Sequence, residues 1–114
     1  MRVISSFWVG AYVRRCHSAG AYATVARKGA AEAGAIFVKV DRLDGTADFY
    51  APAPQALVET GAPLDRRFEK RLSAVPAAEV EARIASELRF DSDLWVVEVE
   101  DRAGRAFLDL AAGT

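Results

Sequence analysis

The residues best suited to do chemistry in this chain are cationic. Arg66, Arg67, Lys70 and Arg71 form its densest basic cluster, and Lys28 stands just before a glycine-bounded stretch, Gly29 to Gly34. Guanidinium and ammonium groups at such density suit phosphate or carboxylate. Lys28, Arg66, Arg67 and Lys70 are therefore the candidate anion-binding residues, and Arg14 and Arg15 make a second basic pair. Asp65 and Glu69 interrupt the cluster. A solvated edge strand, guarded by its charges against pairing with other chains, is the competing and more economical reading. The chain balances 15 basic against 16 acidic residues, a net charge of −1. Nucleic-acid-binding domains usually carry a basic excess, so this balance argues against nucleic acid as a partner.

Three other constellations fall short of a site. Lys28-Gly29 to Gly34 has the look of a phosphate loop, but there the lysine follows the glycines and a helix comes next. Here lysine precedes them and a strand follows, so Gly29 and Gly34 read as turn glycines. Cys16 and His17 are the only Cys and the only His. Adjacent helix positions point about 100° apart, which suits neither a shared metal nor a nucleophile–base pair. A lone cysteine also rules out an intramolecular disulfide and fits a reducing cytoplasm. Asp91, Asp93, Glu98, Glu100 and Asp101 make an acidic C-terminal region that suggests Mg²⁺ binding or proton transfer. Asp91-Ser92-Asp93 fits a turn better, its side chains bonding the local backbone. No catalytic residue, metal-ligand set or cofactor is assigned.

The elements that would carry these residues follow from periodicity. Trp8, Val9, Tyr12, Val13 and Cys16 lie on one face of a helix capped by Ser5 or Ser6 and stopped near Gly20. Tyr22 to Lys28 alternates as a strand. Ala35 to Asp41 is apolar on both faces, which places it centrally in a sheet. Asp44-Gly45 signals a hairpin that brings Phe49 and Tyr50 back alongside. Pro52 to Leu64 is an irregular connection holding Pro52, Pro54, Gly61 and Pro63. Arg67 to Leu72 reads as an exposed strand, with helix as the alternative. Pro76 opens a second helix to about Arg89, with a narrow apolar stripe at Val80, Ile84 and Leu88. Leu94 to Val99 is a further strand, and 105–114 a short edge strand and tail. No apolar run approaches the ~18 residues of a membrane span.

Four separated motifs carry a resemblance. They are Lys28-Gly29 with Glu32-Ala-Gly-Ala-Ile-Phe-Val38, Tyr50-Ala-Pro-Ala-Pro-Gln55, Asp65-Arg-Arg-Phe-Glu69, and Arg89-Phe-Asp-Ser-Asp-Leu-Trp-Val-Val-Glu98. In this order they resemble a family of short bacterial proteins known only as a domain of unknown function. The resemblance covers nearly the whole chain. It implies one α/β-type domain and brings no activity, cofactor or catalytic residue.

The expectation is a single α+β domain over 1–114, with a mixed, largely antiparallel sheet of about four to six strands and two main helices. The leading functional expectation is a non-enzymatic interaction module, a homodimer or an accessory subunit, in the cytoplasm. It rests on the two-sided apolar strand and on more aromatics (Phe7, Trp8, Tyr22, Trp95) than so small a core requires. The alternative is a small-molecule or phosphate-binding protein using Lys28, Arg66 and Arg67. Weak nucleic-acid binding ranks third.

Overall fold

A computed structural model describes residues 4–54 and 66–111. The two-sided apolar segment becomes β2 (Ile36–Asp41), and Ile36 to Val40 are all buried. Burying side chains of this size stabilises by roughly 1.5–3 kcal/mol each, so β2 takes the middle of the sheet. The other strands are β1 (Tyr22–Arg27), β3 (Thr46–Pro52), β4 (Phe68–Pro76) and β5 (Trp95–Glu100), in the order β1-β5-β2-β3-β4. β2 and β5 run parallel, and the other neighbours are antiparallel. This is the mixed, largely antiparallel sheet and two-helix α+β domain expected.

The helices α1 (Ser5–Ser18) and α2 (Ala77–Phe90) cover opposite faces. Val9, Tyr12 and Cys16 of α1 pack on Ile36, Val38, Val40, Val97 and Val99. Val80 and Ile84 of α2 pack on Phe37, Phe49 and Val96, with Leu88 at the margin. α2 lies over β3 and β4, so the same face of β1 is left bare.

Four local expectations are corrected. Neither Ser5 nor Ser6 caps α1, because Ile4 is its N-cap and no side-chain cap bond forms. Backbone supplies the partners instead: the Ser5 and Ser6 N–H groups donate to the carbonyls of Glu32 and Ala31, at 3.1 and 2.9 Å. The buried Ser5 hydroxyl donates to Gly34 O at 2.7 Å. Gly29 and Gly34 are not positive-φ turn residues. A Cβ at either would collide with the Asp93 carbonyl oxygen, so close approach of backbone explains both. The exposed strand expected over 67–72 is longer, running through a bulge to Pro76, which serves as N-cap of α2. At the C-terminus the described segment makes one isolated parallel bridge, Phe68↔Leu110, while Ala106, Phe107 and Leu108 pack against the α1 core. The irregular connection expected over 52–64 lies outside the described residues from 55 onward.

Candidate functional site

The β1 edge is built by the way α1 ends. Gly20 adopts φ 91°, and the Ala21 N–H donates to Cys16 O at 3.0 Å, reversing the chain into β1. Cys16 then faces the core, and His17 is carried over the outer edge of the strand. Its Nε2 lies 3.1 Å from Ala23 N and 2.9 Å from Ala23 O, and its ring stacks on Tyr22 at 5.8 Å and 23°. Both polar backbone groups of Ala23 thus point away from β5. Antiparallel strands alternate in this respect, so Val25, two residues on and opposite Val97, also directs its N–H and C=O outward. Tyr22 and Val25 remain 58% and 40% exposed.

The opposite edge is finished differently. Phe68 of β4 donates its N–H to Asp109 O and accepts from Ala111 N–H, each at 2.9 Å. Beneath it, the Phe68 ring lies 5.4 Å from Trp8. The turn leading to this C-terminal segment is held by Asp101, whose carboxylate accepts the Arg105 N–H at 2.8 Å and the guanidinium at 2.7 Å. These bonds from Arg105 outweigh burial and hold the Asp101 carboxyl below the usual carboxylate range.

The predicted anion residues do not assemble into one cluster. Arg66 is half-buried and donates to Ser5 Oγ at 3.2 Å, at the start of α1. Arg67 is also half-buried. Lys28 is exposed at the same end of the sheet, just beyond β1. Lys70 points elsewhere, over the Tyr50 ring at 5.7 Å and 3.9 Å from the buried Asp48 carboxylate. Arg71 pairs with Glu69. On α1, Arg15 donates to Phe107 O at 3.1 Å.

Asp48 organises the β4 side. It accepts two hydrogen bonds from Arg42, both at 3.1 Å, and one from the Ala74 N–H at 2.6 Å. Ala74 sits at φ 50°, opposite the Ala47/Phe49 irregularity. The carboxylate therefore holds a bulge that a non-glycine residue disfavours. On the other side of the sheet centre, the buried Lys39 ammonium reaches outward to the exposed Glu81 of α2 at 2.5 Å and to Glu98 of β5 at 3.4 Å. Burial pulls the Lys39 pKa down, but the Glu81 bond and the Glu98 charge together outweigh it, and the net shift is upward.

The acidic region divides. Asp91 accepts the Asp93 N–H at 2.9 Å in the expected turn, at the far end of β5 from Glu100. Glu98 and Glu100 instead meet Asp41, a residue outside the acidic region marked by sequence, with carboxylate oxygens within 4.8 Å of one another. Parallel pairing of β2 with β5 puts Asp41 opposite Glu100, and only strand order would have revealed that. Two of the three already have partners: Asp41 accepts the Leu43 N–H at 2.8 Å, and Glu98 faces Lys39. Nearby, Glu100 and Asp101 border an open groove of about 420 Å³ with Gly20, Leu43 and Arg105.

The described residues form a small α+β domain with a five-stranded mixed sheet between two helices. The chain belongs to the family described as protein of unknown function (DUF1491), which it matches over residues 3–109. Its solved likenesses include protein Atu0922 from A. tumefaciens, 45% identical, covering 96% of this chain and 95% of that one, with a TM-score of 0.82. A DUF1491 family protein from Caulobacter crescentus CB15 is 40% identical over 95% of this chain and 94% of that one, with a TM-score of 0.77. No curated protein matches the chain. Among the described residues, no helix is long and apolar enough to cross a membrane.

Proposed function

We propose that this protein is a non-enzymatic interaction module of the cytoplasm, a homodimer or an accessory subunit, that receives a partner strand along β1. The observation that carries the reading is the outward-facing backbone of Val25, beside the exposed Tyr22 ring. An edge strand with free N–H and C=O groups is a template for strand addition unless something guards it. The middle of β1, Ala23 to Ala26, carries no charge and no proline. The buried Cys16 thiol is in keeping with a reducing compartment. Light scattering on the purified protein up to about 1 mM, where even a weak pair associates, tests the reading. Mass rising toward a dimer, or a stoichiometric protein co-purifying from the host, is expected. A strict monomer that purifies alone overturns it.

A further inference from the structure

We infer that the occupant of the β1 edge is a second copy of β1, and that His17 is the gate that must lift before it docks. This rests on the strand-addition reading above and adds a register and a regulatory residue to it.

The register follows from which groups face outward. Two antiparallel copies related by a two-fold axis place residues of equal face opposite each other, so some residue must lie opposite itself. Centring on Thr24 sets Ala23 opposite Val25 of the second copy and Val25 opposite its Ala23. Both residues direct N–H and C=O outward, so the two pairs exchange four backbone hydrogen bonds. Tyr22 then lies toward Ala26 of the second copy, where the register of β1 on β5 shifts and only a small side chain stands, and no like charges meet. The two Thr24 side chains pair across the axis, which is a favoured cross-strand combination.

In this arrangement every one of the four bonds involves Ala23, and Ala23 is where His17 sits. One imidazole nitrogen is either a donor or an acceptor, so Nε2 satisfies the Ala23 carbonyl or the Ala23 N–H but not both. An incoming strand satisfies both at once, and Val25 as well. The cap is thus weaker than what replaces it, while still making solitary protomers the default at low concentration. Lifting one such bond costs roughly fivefold in equilibrium, and a symmetric pair must lift two, on the order of 30-fold.

The test is sedimentation equilibrium on the full chain, with amide hydrogen exchange read at Ala23. His17→Ala should tighten dimerisation on the order of 30-fold and speed Ala23 exchange in dilute samples. His17→Phe, which keeps a ring against Tyr22 but has no nitrogen for Ala23, should do the same and serves if the alanine variant fails to fold. Thr24→Lys should abolish the dimer by setting like charges opposite each other, and mixing it with Thr24→Glu should restore it. A wild-type dimer whose association is unchanged in both His17 variants, with Thr24→Lys monomeric, overturns the gate and leaves the β1 dimer standing, while a wild-type protein that stays monomeric overturns both. A dimer indifferent to Thr24→Lys, or a Lys/Glu mixture that does not pair, overturns the β1 register itself.

Discussion

The sheet closes its two edges by different means. At β4, a stretch of main chain supplies both an acceptor and a donor to Phe68, and the ring beneath is locked against Trp8. At β1, a single side-chain nitrogen stands over Ala23, and the outward groups of Val25 meet no partner among the described residues. A backbone strap satisfies N–H and C=O together, whereas an imidazole nitrogen satisfies one of them at a time. β4 is therefore finished at Phe68, and beyond the strap it carries charges at Glu69, Lys70 and Arg71 along its edge, whereas the middle of β1 has neither strap nor charge. The charges of β4 follow the same division: Lys70 is drawn to Asp48 and Arg71 to Glu69, so the basic cluster serves the edge it lies on.

The comparison breaks most severely at Asp48. Replacing it with Ala leaves the Ala74 N–H without its acceptor and the strained Ala74 backbone unheld, at a cost of about 2–4 kcal/mol. A fall of that size in urea stability, with Ala74 exchange accelerated, is expected. Ala111→Pro should cost about 1–3 kcal/mol, because it removes the donor to Phe68 O. That variant should expose the β4 edge and promote aggregation, seen as turbidity on heating. Asp101→Asn probes the turn behind the strap through pH. The folded pKa of Asp101 is lowered, so its contribution is complete above the ordinary carboxylate value, about 4, and is lost as pH falls through the folded value. The Asn variant should be less stable at neutral pH and should show a shallower decline below about pH 4 in urea midpoints. His17→Ala should be the mildest for stability, within ~1 kcal/mol. Its signature is faster exchange at Ala23 with Ala111 unchanged.

Much of the frame is legible in the order of residues alone. Side-chain polarity marks β2 as central, since a strand apolar on both faces must be covered on both. The Asp44-Gly45 turn sets its pairing with β3, where Val38 meets Tyr50. Strand order is not legible, because the parallel β2–β5 pair joins segments far apart in sequence, and with it goes the Asp41–Glu98–Glu100 meeting. The bulge at Ala74 is hidden for a similar reason: the carboxylate that holds it lies 26 residues away. Gly29 and Gly34 look like turn residues, while their cause is the Asp93 backbone passing close by. By pattern His17 is a surface imidazole beside a core thiol. Nothing in its neighbours shows that α1 delivers it to the β1 edge, since that depends on how tightly the chain reverses at Gly20.

The most direct measurement of the central claim is residue-resolved amide hydrogen exchange on the wild-type protein at two well-separated concentrations. If β1 is the edge that receives a partner copy, protection at Ala23 and Val25 rises with concentration, while protection at Phe68 and Ala111 stays constant. Concentration-independent exchange at Ala23 and Val25, or a rise confined to β4, would contradict the account.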